Sequence, residues 1–170
     1  MYRLEPLSHA HAREAFDCGS EPLNLYLKHT ARQHSQRGIS RTFVLVKEGA
    51  PEPKAILGYF TLNICQLKSE VLPERMARKL PREVSGIKLG RLAVSKAVQR
   101  TGLGQLLLAT AMRKVLDVFE SAGGVGLFVD AKDQTAKAYY ERFGFVSLSD
   151  NPLQMFLPIE TVRLGARANS

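Results

Sequence analysis

Two cysteines in 170 residues, Cys18 and Cys65, are too few for a disulfide framework, which predicts a reducing, cytoplasmic setting. Neither has a base or metal-ligating neighbour in sequence, so both are assigned to packing. No apolar run approaches the roughly 18–20 residues that cross a bilayer, and no membrane partner is expected. Residues 1–6 carry Arg3 and Glu5 where a secretory leader would be apolar. There is no internal repeat and no low-complexity tract. The one linker-like stretch, residues 47–54 (KEGAPEPK), is too short to separate domains. Acidic residues are also in short supply: 24 Lys and Arg against 16 Asp and Glu leave +8, with a pI near 9.7. That surplus suits an anionic partner, whether nucleic acid, a phosphorylated cofactor or an acidic protein. What is present in ordinary measure is an apolar share of 45% beside a charged share of 24%, a globular balance that argues against disorder. A chain of this length forms one domain with a sizeable core.

Periodicity divides the chain into elements. Ser20 reads as an N-cap before Glu21 and Pro22, and Leu23, Tyr26, Leu27, Thr30 and Ala31 then share one helical face that ends near Gly38. Residues 42–46 (TFVLV) and 55–64 (AILGYFTLNI) are β-branched and aromatic and bracket 47–54 as an antiparallel hairpin. A short basic helix is predicted over 73–80, a strand over 87–94 (IKLGRLAV), and a long helix over 103–119. Residues 125–130 (VGLFVD) read as a buried strand, 135–142 as a helix closed by Phe143-Gly144, and 145–148 and 154–157 as terminal strands. A hairpin followed by strand–helix–strand–helix–strand gives an α+β (α/β mixed-sheet) domain over residues 1–170.

The segment 89–108 (LGRLAVSKAVQRTGLGQLLL) ends a strand at Val94 and opens a helix on Gly102 and Gly104. Glycines there admit a ligand close to the backbone. The first N–H groups of a helix lack internal partners, and with the helix dipole they make an anion site suited to phosphate. Arg100 adds a positive charge beside it. Two phosphate signatures are excluded: no lysine follows the glycines as a Walker loop requires, and Leu107 stands where a dinucleotide fingerprint needs its third glycine.

Gln99-Arg100-Thr101-Gly102-Leu103-Gly104 resembles the pyrophosphate-binding signature Gln/Arg-x-x-Gly-x-Gly/Ala of GNAT N-acetyltransferases, which bind acetyl-CoA. Residues 136–145 (AKAYYERFGF) resemble the late GNAT segment A-x-x-x-Y-x-x-x-G-F. Further stretches, in order along most of the chain, resemble one branch of that family. These are Phe16-Asp17-Cys18-Gly19, Leu23-Asn24-x-Tyr26-Leu27, Ala31-Arg32-Gln33, Ser40-Arg41-Thr42-x-Val44, residues 57–62 (LGYFTL), Gly90-Arg91-Leu92-Ala93-Val94 and Met155-Phe156-Leu157-Pro158. The branch is the GNAT toxins of bacterial type II toxin–antitoxin modules.

The resemblance implies a single GNAT domain whose mixed, mostly antiparallel sheet splays at an acetyl-CoA cleft and is flanked by helices. It implies acetyl-CoA as acetyl donor, no metal, and the α-amino group of aminoacyl-tRNA as acceptor, so that translation stops in the bacterial cytoplasm. The implied partners are a ribbon-helix-helix antitoxin, a second copy in a homodimer, and operator DNA only through the antitoxin. Leu92, Ala93 and Val94 would bond the pantetheine arm, and a backbone N–H near Val94 would stabilise the oxyanion, a role worth about 3–4 kcal/mol. Gln99, Arg100, Thr101, Gly102, Leu103 and Gly104 would hold the pyrophosphate. Tyr139 and Tyr140 lie about 100° apart on a helix and cannot face one site equally. Spacing to Gly144 gives Tyr140 the family's catalytic position and leaves Tyr139 to packing. A phenol of pKa about 10 keeps its proton at pH 7 and can pass it to a departing thiolate.

No base is plainly placed: His9, His11, His29 and His34 read as surface residues. An α-amino group titrates near 7.7–8.0 and needs little help to be neutral, whereas a lysine side chain near 10.4 does. Cations cluster as Lys28, Arg32, Arg37 and Arg41, and again as Arg75, Arg78, Lys79, Arg82, Lys88 and Arg91. From these Lys28, Arg32, Arg37, Arg41, Arg78, Lys79 and Arg91 are the candidates for tRNA contact. A solvated basic face, or a dock for an acidic antitoxin tail, would use the same residues. Two other readings stand beside this one: a GNAT acting on a small-molecule or peptide amine, and a non-enzymatic basic module that binds nucleic acid or protein.

Overall fold

Alternation of apolar side chains builds the strands, and seven of them join in one mixed sheet in a computed structural model that describes residues 1–168, with side chains to residue 165. The last two residues of the expected 1–170 domain lie outside the described residues. The strands are β1 (Tyr2–Pro6), β2 (Arg41–Lys47), β3 (Gly58–Lys68), β4 (Glu83–Val94), β5 (Gly126–Asp130), β6 (Val146–Ser147) and β7 (Gln154–Pro158). Their order is β1-β2-β3-β4-β5-β7-β6. The β1–β2, β2–β3, β5–β7 and β6–β7 pairs are antiparallel and β4–β5 is parallel. The contacts of the chain gather into two compact units, residues 1–63 with 90–111 and residues 64–89 with 112–170.

In the first unit, Thr42, Val44 and Val46 of β2 turn to one face, where Val44 and Val46 pack with Phe16, Leu27, Ala31, Ile56, Tyr59 and Ala93. A helical segment covers this core. It runs as α1 (Glu21–Leu25), a π-helical stretch (Tyr26–Thr30) and α2 (Ala31–Gln36), so the expected single helix is present but widened in its middle turn. The widening puts Tyr26 and Leu27, 6% and 0% exposed, into the core. Ser20 takes the extended N-cap conformation and its carbonyl accepts from Asn24 N, although its side chain makes no capping bond.

His11, expected at the surface, is buried, with 5% of its area exposed. Its Nδ1 accepts from Ser8 N (3.0 Å), which leaves the proton on Nε2, 2.8 Å from Glu5 Oε1. Lys54 Nζ lies 2.9 Å from the other oxygen of Glu5. Lys54 first, then His11, hold the Glu5 carboxyl below its ordinary value of 4.5. A depressed carboxylate stabilises the fold above its unfolded value and loses that contribution as pH falls through the lowered one. Glu5→Gln should therefore be less stable than wild type at neutral pH and show a shallower loss on acidification below about 4.5, as read by urea midpoints across that range.

In the second unit, β5 is apolar on both faces (Leu127, Phe128 and Val129 are all buried), as a parallel strand covered on each side requires. Its ladder with β4 joins Ile87–Leu89 to Leu127–Val129, and β4 runs on to Val94. Phe128 meets Phe156 of β7 at 4.9 Å and packs with Leu72, Val84 and Leu148. Helix α3 (Glu74–Ala77) is shorter than the basic helix expected over 73–80: Arg78 and Lys79 fall in the turn after it. Helix α4 (Leu103–Ala122) opens in the first unit and runs on into the second. Helix α5 (Gln134–Glu141) starts where the Asp133 carboxylate accepts from Ala136 N (2.8 Å), and α6 (Ile159–Ala168) closes the described chain.

Candidate active site

The first unit carries the strand–glycine–helix motif. At the end of β4, Ala93 is buried in the core while Leu92 and Val94 stay half-buried. Ser95 N bonds Leu57 O (2.9 Å), which fixes where the chain leaves the sheet. After a single 3-10 turn (Lys96–Val98), two residues adopt left-handed backbone: Arg100 at φ +64° and Gly102 at φ +87°. Turns that contain left-handed residues are the setting in which successive N–H groups form anion-binding concavities. Arg100, Thr101 and Gly102 are exposed. Leu106 N bonds Gly102 O (3.1 Å) to begin α4, so the N–H groups of Leu103, Gly104 and Gln105 precede the helical ladder and have no partner within it. A Cβ on Gly104 would meet only Val94 Cγ2, at 3.8 Å, so open space lies before this helix start. Backbone donors, the helix dipole, the Arg100 charge and that open approach fit a pyrophosphate.

Two residues of the expected phosphate set contribute differently from expectation. Leu103 is 5% exposed with its side chain in the core, so only its N–H is available. The amide nitrogen of Gln99 donates to Cys18 O (2.8 Å) and to Val94 O (2.9 Å), so both of its protons are committed within the protein. Thr101 Oγ1 donates to Val98 O and tightens the turn.

The second unit carries Tyr140, late in α5. Its ring meets Phe145, which is buried, at 5.3 Å and Tyr139 at 5.6 Å, both edge-on. Burial, and then the neighbouring Tyr139, push the Tyr140 phenol above its ordinary value of 10. Among the described residues its hydroxyl has no hydrogen-bond partner. Tyr139 instead packs on Phe143 at 5.1 Å.

The cations expected to meet tRNA fall in both units. In the first, Arg37 and Arg41 are exposed and Lys28 is half-buried. Arg32 bonds the exposed His9 ring. Arg91 is held differently: its guanidinium carbon lies 3.5 Å from the centre of the Tyr26 ring. The Tyr26 hydroxyl in turn bonds His34 Nδ1 (3.1 Å) and Ser40 Oγ (3.0 Å), so Arg91 is a cation–π partner with a fixed seat. In the second unit, Arg78 and Lys79 are exposed and, with Arg75, wall a groove of about 650 Å³ floored by Leu72, Met76, Val125 and Phe156. Sequence reasoning passed over Arg75 as a site residue. It also missed Asp17, Cys18 and Asn24 as supports of the glycine turn, because the one bond that ties this local cluster to Gln99, through Cys18 O, spans 81 residues of chain. Among the described residues no three His, Cys, Asp or Glu side chains gather as a metal site, and no helix is long and apolar enough to cross a membrane.

The profile of the acetyltransferase (GNAT) domain matches residues 77–156. The chain is 30% identical over 149 residues to a tRNA-acetylating toxin of Mycobacterium tuberculosis, which spans 88% of this chain and 87% of that protein. Solved structures also resemble it, among them two that each cover 96% of its length. One is AtaT complexed with acetyl-methionyl-tRNAfMet, with 30% identity, a TM-score of 0.87 and 98% of that chain covered. The other is a tyrosine-to-phenylalanine mutant of AtaT bound to the C-terminus of the antitoxin AtaR and acetyl-CoA, with 31% identity, a TM-score of 0.78 and 96% of that chain covered. The chain belongs to the GNAT acetyltransferases, in the branch of the tRNA-acetylating toxins.

Proposed function

We propose that this chain is a toxin that transfers the acetyl group of acetyl-CoA to the α-amino group of aminoacyl-tRNA and thereby blocks translation. The observation that carries the reading is the phosphate cradle at Arg100 and Gly102, opening onto the first turn of α4. Acetyl-CoA supplies an acyl group activated as a thioester. The cradle and Arg100 hold its pyrophosphate, and the backbone of Leu92, Ala93 and Val94 aligns the pantetheine arm and carbonyl. The amine nitrogen bonds the acetyl carbon as the C–S bond breaks, Tyr140 delivers a proton to the sulfur that leaves, and the proton that the nitrogen sheds on becoming an amide restores the phenol. Its raised pKa keeps that proton in place at neutral pH, which is what an acid requires. No side chain is assigned as base, since an α-amine near 7.7–8.0 is partly neutral at pH 7. The same reading includes a homodimer, a ribbon-helix-helix antitoxin as neutralising partner and operator DNA reached through that antitoxin.

Labelled acetyl-CoA incubated with a pool of charged tRNAs tests it. Label should enter the tRNA fraction and be released as N-acetyl amino acid by mild alkaline deacylation. Label on another amine, with none on aminoacyl-tRNA, overturns the reading in favour of a small-molecule or peptide acceptor.

Arg78 and Lys79 are assigned to tRNA phosphates. Arg78→Ala with Lys79→Ala should lower kcat/KM for aminoacyl-tRNA and leave KM for acetyl-CoA unchanged. The dependence of log(kcat/KM) on log salt should flatten by about 0.9 for each phosphate that is no longer neutralised. A slope equal to wild type would assign these cations to another surface role.

A further inference from the structure

Gln99 reaches Cys18, and Cys18 is held from its other side as well. Cys18 N donates to Asn24 Oδ1 (2.9 Å), while Cys18 O accepts from Gln99 Nε2, which also holds Val94 O. Asn24 Nδ2 donates to Asp17 Oδ1 (3.0 Å), and the same oxygen accepts from Gly19 N (2.9 Å). Asp17 O accepts from Lys96 N (2.8 Å), and Lys96 Nζ lies 3.9 Å from Asp17 Oδ2. The bonds form a closed circuit within the first unit: β4 end, Gln99, Cys18 backbone, Asn24, Asp17 and Lys96, which precedes the turn by four residues. The circuit brackets Arg100, a non-glycine residue in left-handed backbone, a conformation that persists only where its surroundings hold it.

We propose that Asn24 and Gln99 are positioning residues for acetyl-CoA. With Asp17 they clamp the two peptide groups that flank Cys18, so that the end of β4 and the left-handed turn after it stay fixed relative to each other, and the cradle is formed before the ligand arrives. Gln99 thus supports the phosphate site without touching the phosphate. The proposal rests on the acetyl-CoA reading above. It gives the segment Asp17-Cys18-Gly19 and the amide at Asn24 a task at a site that lies far along the chain from them.

The test is a binding titration with CoA, beside steady-state kinetics, on Asn24→Ala, Gln99→Ala and the double variant. Each single change should weaken CoA and raise KM for acetyl-CoA by roughly tenfold, the effect of one net hydrogen bond. Values of kcat and of KM for aminoacyl-tRNA should stay within about twofold, a split that general loss of structure would not give. Because both side chains hold the backbone of one residue, Cys18, by its N–H and its C=O, the double variant should bind CoA no worse than the weaker single. Gln99 is exposed, so its substitution leaves the core intact. Asn24→Asp is the isosteric companion: it still accepts from Cys18 N but sets a second carboxylate against Asp17, and it should weaken CoA as Asn24→Ala does. Wild-type affinity in Asn24→Ala and Asn24→Asp overturns the proposal, and so do losses that multiply in the double variant, the mark of direct contact by Gln99. A wild-type chain that binds no CoA overturns the acetyl-CoA reading itself, and the clamp falls with it.

Discussion

Tyr140→Phe should lower kcat for acetyl transfer by about 10²–10⁴-fold, the range that general acid catalysis supplies, while KM for acetyl-CoA changes little. The substitution removes one oxygen and keeps the ring. The edge-on contacts with Phe145 and Tyr139 persist, so α5 keeps its packing and the loss is chemical. A thiolate must gain a proton to leave cleanly at neutral pH, and a phenol whose pKa is raised by burial is protonated well past pH 7. The sign for pH follows. Raising the phenol above 10 moves the alkaline fall in rate upward, so wild type should hold its rate to beyond that value, and Tyr140→Phe should lack this limb. Tyr139→Phe is the matched control: its ring packs on Phe143, and its rate should stay within about threefold of wild type. Rapid-quench transfer of labelled acetyl groups measures all three. Expression without antitoxin gives the cellular counterpart, growth arrest from wild type and none from Tyr140→Phe. Equal transfer rates for wild type and Tyr140→Phe would remove Tyr140 as the acid.

The core strands and long helices were legible because their periodicity is strong. Residues 42–46 and 87–94 read as strands and lie within strands, the strand read over 125–130 begins one residue later at Gly126, and the helix over 103–119 extends only a few residues further. Two elements escaped. Strand β1 lies at the sheet edge, and its Tyr2-Arg3-Leu4-Glu5 alternation is only four residues long before Pro6 and buries none of them, too short a pattern to read as a strand. Helix α6 follows β7 with no turn residue between, Pro158 being its only punctuation. The hairpin loop is longer than its sequence suggests, because Ala55, Ile56 and Leu57 look like strand, yet β3 begins at Gly58. Ile56 is buried in the core without joining the ladder, which shows apolar character marking burial and not pairing.

The candidate site was legible where its pattern is local. The glycine spacing of residues 102–104 and the position of Tyr140 before Gly144 lie within a few residues of sequence, and the left-handed turn needs nothing more distant to be recognised. Side chains whose partners are remote were not legible. Gln99 looks like a ligand contact until Cys18 and Val94 are seen to occupy its amide. His11 looks like a solvated histidine until Glu5 and Lys54 close around it. Arg91 looks like a free cation until Tyr26 lies beneath it. In each case the sequence names the functional group, and only the tertiary bond decides whether it is available.

The second large effect should come from Gly104→Leu, in which binding and stability move in opposite directions. Gly104 stands in the first turn of α4 and is not in left-handed backbone, and a Cβ there meets nothing closer than Val94 Cγ2 at 3.8 Å. Leucine is a good helix former, so the fold should hold its stability or gain up to about 1 kcal/mol. Affinity for CoA should fall at least about 100-fold, the equivalent of one or two charge-assisted hydrogen bonds, because the new side chain fills the approach to the N–H groups of residues 103–105. Gly102→Ala gives the contrasting signature. At φ +87° an alanine strains the backbone by about 1–2 kcal/mol, although no atom lies within 4 Å of the added carbon. That variant should lose stability and CoA affinity together, because the same left-handed turn shapes both the loop and the cradle. Thermal midpoints and CoA titrations on the two variants separate the roles. If Gly104→Leu binds CoA as wild type does, the space before α4 is not where the pyrophosphate lies; if it loses binding at undiminished stability, Gly104 serves the ligand and not the fold.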